Sequence, residues 1–91
     1  LVIVAMAFDR THDTLISGPD IISRGFVFVR ENEDIIEESR EVVRGIIDSY
    51  EQISGSDWPV IKNRIKDELR RFLNDKIKRN PMILPVIVDL G

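Results

Sequence analysis

The 91-residue sequence contains no cysteine and a single histidine. Disulfide scaffolds, thiolate zinc sites and cysteine nucleophiles are thereby excluded, and one imidazole cannot make a histidine ligand cluster. The longest apolar run, Leu1 to Phe8, is eight residues long and has no basic stretch before it, so neither a membrane-spanning helix nor a secretory signal is readable. Absence of cysteine suits a reducing compartment, and the expected location is the cytoplasm. A net charge of −3 does not describe a chain that attracts nucleic acid as a whole. That average hides a split, because residues 29–55 carry net −5 and residues 60–80 carry net +5. Five Gly, four Pro, 43% hydrophobic and 32% charged residues are ordinary for a globular domain. The length suits one core, and residues 1–91 are read as a single domain.

Leu1-Val2-Ile3-Val4-Ala5-Met6-Ala7-Phe8 has the length and β-branched content of a strand, and Asp9-Arg10-Thr11-His12-Asp13 reads as the turn of a hairpin. The return strand begins near Thr14, is interrupted at Gly18-Pro19, where a bulge or kink is expected, and resumes from Ile21 to Val29. Glu31 to Asp34 open a helix with Asn32 as the expected N-cap. Ile35, Ile36, Ser39, Val42, Val43, Ile46, Ile47 and Tyr50 then form one helical face. Ser54-Gly55-Ser56-Asp57 stops that helix and starts another in a tight helical hairpin, Pro59 being tolerated in the first turn. The second helix turns Trp58, Ile61, Ile65, Leu69, Phe72, Leu73 and Ile77 inward, and Met82 to Val88 form a third strand. Trp58, Phe72 and Tyr50 are thus expected in the core, not on a base-stacking platform.

The expected architecture is α+β, in the order β-β-α-α-β, with a three-stranded mixed sheet and two antiparallel helices packed on one face. The helical pair returns the chain to the end it left, so the third strand should run parallel to the first. The wholly apolar first strand suits the centre, giving the order 2-1-3. Strands 1 and 3 are apolar at both odd and even positions, whereas a sheet with one wet face should alternate. One face must therefore meet a partner, either a second copy or further parts of a larger protein. Val4, Ile3, Leu84, Val86 and Ile87 are the candidate interface residues, and the sequence leaves open which alternating set faces outward.

Gly18-Pro-Asp-Ile-Ile-Ser-Arg-Gly-Phe-Val-Phe-Val-Arg-Glu-Asn-Glu-Asp-Ile-Ile-Glu-Glu38, followed about 40 residues later by Arg79-Asn-Pro-Met-Ile-Leu-Pro-Val-Ile87, resembles the C-terminal domain of ribonuclease J. Phe28, Asn80 and the pair Val88-Asp89 depart conservatively from that family's usual residues. The resemblance implies a parent enzyme of the metallo-β-lactamase fold with an inserted β-CASP domain, which trims RNA from the 5′ end and cuts it internally at a two-metal site, commonly zinc. It implies for this segment a non-catalytic role in assembly and positioning, with no cofactor of its own. The expected partners are a second copy, the catalytic and β-CASP domains, and RNA through the parent. A start at Leu1 within a strand is read as a piece of a larger protein.

Four basic residues are candidate contacts to RNA or to neighbouring domains. Arg24 lies in an otherwise apolar strand and needs a carboxylate, a phosphate or open water. Lys62, Lys66 and Arg70 step along one side of the second helix at four-residue spacing, where they could face phosphates. The plainer readings are an edge-strand arginine paired to a local acid and a solvated helix of mixed charge. His12 with Asp9 and Asp13 offers ligand-type side chains, but a polar hairpin tip is much the better reading, because a site needs convergent groups with a supporting shell.

Overall fold

A computed structural model describes residues 1–24 and 33–90. The elements are β1 (Val2–Asp9), β2 (Thr14–Ser23), α1 (Glu33–Asp48), a short 3₁₀ turn (Gly55–Asp57), α2 (Trp58–Ile77) and β3 (Ile83–Asp89). The sheet order is β2-β1-β3, with β1 antiparallel to β2 and parallel to β3. The architecture is the expected three-stranded α+β arrangement. The expected continuation of the second strand through Gly25 to Val29 and the expected cap at Asn32 lie outside the described residues.

The turn between β1 and β2 is held by the Asp9 carboxylate, which accepts from the backbone N–H of Thr11 at 2.9 Å and of His12 at 3.3 Å. Asp13 follows in the left-handed region, with φ 49°, a conformation that Asp adopts more readily than most residues. Strand β2 does not break at Gly18-Pro19. Its pairing shifts between Ala5↔Asp20 and Ala7↔Ser17, the bulge expected at this point. Gly18 has φ +102°, and a Cβ there would come within 2.7 Å of the Ala5 carbonyl, so only glycine fits without displacement.

Even positions of β1 point under the helices: Val2, Val4 and Phe8 are fully buried and Met6 nearly so. Above them α2 contributes Trp58, Ile61, Ile65, Leu69 and Leu73, and α1 contributes Val43, Ile46 and Ile47. The four-residue repeat on α2 drifts slowly round the helix and keeps one stripe on the sheet. Phe8 and Trp58 meet edge to face, with centroids 5.2 Å apart and planes at 77°. Phe72 and Tyr50, expected inside, are half-buried and pack against the core's margin.

The connection between the helices is longer than a tight hairpin. Helix α1 ends at Asp48, before Tyr50, where the Ser49 hydroxyl donates to the Ile46 carbonyl at 2.6 Å and competes with the helical ladder. Buried Ile53 then anchors the loop, and the Asp57 carboxylate accepts from the Ser54 N–H at 2.9 Å as the chain turns into α2. Helix α2 ends where Lys78 adopts φ 56° and its N–H donates to the Asn74 carbonyl at 3.0 Å.

Candidate interface surfaces

The register decides which side of the sheet is open. Residues paired across strands share a face, so Val4, opposite Ile21 and Pro85, belongs to the helix side with Met6 and its neighbour Ile87. Of the five candidate interface residues, Val4 is fully buried and Ile87 packs against the core. Val4 is therefore closed to a partner, whereas Ile87 is partly buried at the core's margin. Ile3, Leu84 and Val86 lie on the other face, where Ile3 pairs with both Ile22 and Leu84, and Ala5 with both Asp20 and Val86.

On this face Ile22, Leu84 and Val88 are exposed to 40%, 45% and 49%. Leu1 lies at its margin, bonded reciprocally to Arg24: the Leu1 nitrogen donates to the Arg24 carbonyl at 2.9 Å, and the Arg24 N–H to the Leu1 carbonyl at 2.8 Å. Alternation along β2 therefore puts Arg24, Ile22 and Asp20 on the open face, with the isoleucine between the charges. Asp20 and Ser17 border a shallow depression over Ala5 and Ala7, closed on the far side by Val88. Sequence reasoning singled out Arg24 and passed over Asp20. The available signal was the two-residue spacing Asp20-Ile22-Arg24 on a strand whose intervening residues are Ile21 and Ser23.

A second surface is the flank of α2. Helix α1 packs over β2, and α2 over β3 and against α1. Arg64, Glu68 and Lys76 lie on the α1 side, where Arg64 pairs with Glu68 at 3.2 Å and Lys76 reaches Glu38 at 3.9 Å. Arg64 also sits 6.0 Å from the Tyr50 ring centroid and donates to the Ser49 hydroxyl at 3.2 Å. Contact with Tyr50 first, and with Glu68 after it, raises the Arg64 guanidinium above its usual range. At 100° per residue, Lys62, Lys66 and Arg70 fall on the opposite flank, toward β3. None of the three has an ion pair among the described residues.

The hairpin tip is a third polar cluster. His12 Nδ1 lies 2.7 Å from the Asp9 carboxylate, and this bond is the largest of the causes holding the Asp9 carboxyl below its ordinary range. His12 is otherwise open to water, and Asp13 contributes no side chain to the pair. Among the described residues no group of three or more histidine, aspartate or glutamate side chains is placed to hold a metal ion.

The sequence of residues 1–90 matches one protein family, the ribonuclease J C-terminal domain. The chain belongs to that family. Among curated relatives it is 41% identical over 90 residues to ribonuclease J2 of Bacillus subtilis strain 168, and 39% identical over 88 residues to ribonuclease J 2 of Staphylococcus aureus strain NCTC 8325 / PS 47. These alignments cover 99% and 97% of this chain and 16% of each relative, so the ribonuclease J C-terminal domain here spans about a sixth of the length of the relatives it matches. No helix among the described residues of this ribonuclease J domain is long and apolar enough to cross a membrane.

Proposed function

We propose that this chain is the non-catalytic assembly and positioning domain of a longer ribonuclease J-like enzyme, a cytoplasmic 5′-3′ exo- and endoribonuclease of RNA processing and decay. The observation that carries the reading is the open sheet face. Ile3, Ile22, Leu84, Val86 and Val88 form an apolar surface that no element of the described chain covers, and such a surface in a water-facing sheet marks a contact. Chemistry belongs to the parent's other domains, where a two-metal centre, zinc by the family resemblance, and the β-CASP insertion reside. With one histidine and no cysteine, this segment has little to contribute to such a centre.

The test uses Ile3→Lys in the full-length parent. A lysine on the open face should leave this domain folded while reducing assembly and RNA cleavage together. Unchanged assembly and cleavage would overturn the proposal. Val4→Lys is the contrast, since it buries an unpaired charge beneath the helices and should unfold the domain.

A second reading assigns RNA contact to Lys62, Lys66 and Arg70. It is favoured by their lack of ion pairs among the described residues, whereas Arg64 and Lys76 on the other flank are paired. If these three residues bind phosphates, RNA affinity of the chain falls linearly on a log–log plot against salt, and replacing all three with alanine flattens the slope by about 2–3. A slope unchanged by the triple substitution would remove this reading.

A further inference from the structure

We infer that a polar depression at the C-terminal end of α2 is a nucleotide site for single-stranded RNA. In it Arg70 and Arg71 hold a phosphate, while Asp67, Asn74 and Asn80 read a base that carries an exocyclic amino group. The inference deepens the second reading of function, RNA contact through Lys62, Lys66 and Arg70, and rests on it. The depression has a volume of about 280 Å³ and is lined by these five residues.

Residues 67, 70, 71 and 74 share one helical face at three- and four-residue spacing, and the left-handed Lys78 turns the chain so that Asn80 comes back beside them. All five residues are exposed, and none of their side chains has a hydrogen bond or ion pair among the described residues. Asp67 and Arg71 stand at the acid-first, four-residue spacing that favours pairing on a helix. They line the depression without meeting, whereas Arg64 and Glu68, equally spaced on the other flank, pair at 3.2 Å.

A basic row leads into the depression. Lys62, Lys66, Arg70 and Asn74 each directly follow a residue of the buried stripe Ile61, Ile65, Leu69 and Leu73. The stripe that packs on the sheet therefore fixes the row beside it. From half-buried Lys62 and Lys66 the row runs outward to exposed Arg70. It climbs in steps of ~6 Å, close to the separation of successive phosphates along an extended strand. A strand with one phosphate on each cation arrives at the depression with its next nucleotide, and a shallow shelf suffices for a residue whose neighbours are already held.

The acceptor groups decide between a phosphate and a whole nucleotide. A site for phosphate alone is weakened by the Asp67 carboxylate, which repels it. A base edge uses that carboxylate, because it accepts from an amino group, while the Asn74 and Asn80 amides both donate and accept. Cytosine, adenine and guanine carry such an amino group. Uracil carries only carbonyl acceptors and one ring N–H, so the site discriminates against uridine. Base edges are free for this contact in a single strand.

Fluorescence anisotropy of labelled ten-residue oligocytidylate and oligouridylate, titrated with the 91-residue chain at neutral pH and about 50 mM salt, tests the site. Oligocytidylate should bind at least about fivefold more tightly than oligouridylate. Asp67→Ala should bring the two within about twofold by weakening binding of the cytidylate and not of the uridylate. The substitution lies on an exposed helical face, where alanine preserves the fold. Arg71→Ala should weaken both by the same factor and lower the slope of log affinity against log salt by about 0.7. Equal affinity of the wild type for the two oligonucleotides overturns the inference. So does an Asp67→Ala variant that tightens both alike, the behaviour of a plain basic surface relieved of a negative charge. In either case a slope still lowered by the triple alanine substitution at Lys62, Lys66 and Arg70 retains the phosphate contacts, so failure of the base site is distinguished from failure of RNA contact.

Discussion

Val4 and Pro85 are direct neighbours in the parallel β1–β3 ladder, and Pro85 is placed where its missing N–H costs the ladder nothing. The bonds from Val2 N to the Met82 carbonyl at 2.7 Å and from Leu90 N to the Phe8 carbonyl at 2.9 Å put the even-numbered residues of this segment in contact with β1. Pro85, an odd position, turns its backbone toward the free edge and blunts it. Pro85→Val should therefore change stability by less than ~1.5 kcal/mol while making the chain aggregate more readily on heating, as read by light scattering. A loss of several kcal/mol would show that Pro85 matters through packing instead.

Gly18 and Gly45 should respond to alanine in opposite directions. At Gly18 the positive φ and the close Ala5 carbonyl both resist a side chain, and Gly18→Ala should destabilise by about 1–3 kcal/mol. Gly45 lies within α1, exposed, with nothing within 4 Å of an added Cβ. Gly45→Ala should stabilise by roughly 0.5–1 kcal/mol. Urea midpoints decide the matter, and equal signs would refute it.

Leu69 and Phe72 lie three residues apart on α2 but differ in burial. Leu69 is fully buried, whereas Phe72 is half-buried beside Val42, Glu68, Arg71 and Asp75. Leu69→Ala should cost about 2–5 kcal/mol and Phe72→Ala distinctly less, about 1–2 kcal/mol. The reverse order in chemical denaturation would mean that the helix is rotated from the position described.

Ser39 is fully buried on α1, and its hydroxyl has no hydrogen-bond partner among the described residues. Removing an unsatisfied buried hydroxyl ends its desolvation cost, and alanine is also the better helix former. Ser39→Ala should be neutral or stabilise by up to ~1 kcal/mol, as judged from the thermal midpoint. A clear loss would reveal a partner for the hydroxyl.

The Asp9–His12 pair sets an acid-side dependence of stability. The folded carboxyl titrates below its ordinary value of 3.8, the His12 bond being the largest cause. A depressed carboxyl contributes stability that is present above the unfolded value and is lost as pH falls through the folded one. Wild type should thus lose stability from about pH 4 downward relative to Asp9→Asn, which keeps a side-chain oxygen for the turn but has no titrating charge. Parallel urea midpoints for the two proteins between about pH 6 and 2.5 would contradict this.

Much of the fold was legible because each element carries its own local signal. The apolar run ending at Phe8, the helical spacing from Ile61 to Leu73 and the stop at Asn80-Pro81 act over a few residues each. Tyr50 was misplaced because the spacing of apolar residues continues past Asp48, while the bond from the Ser49 hydroxyl to the Ile46 carbonyl ends the helix. Phe72 was misplaced because helical spacing defines a face but not its width. At its margin, burial depends on how closely α1 approaches.

The sequence by itself determined the order and type of the elements, the central position of β1 and the apolar character of both faces of β1, because these follow from local pattern. Only the tertiary structure decided which face is open. A strand apolar at every position has no sign in its alternation, so Ile3 and Val4 are equivalent until the helices settle on one side. Register then did what no local pattern could: by pairing Ile3 with Ile22 and Ala5 with Asp20 it set one charge at each end of an apolar row. Side chains on separate strands acquire a common surface only through the hydrogen bonds that join the strands.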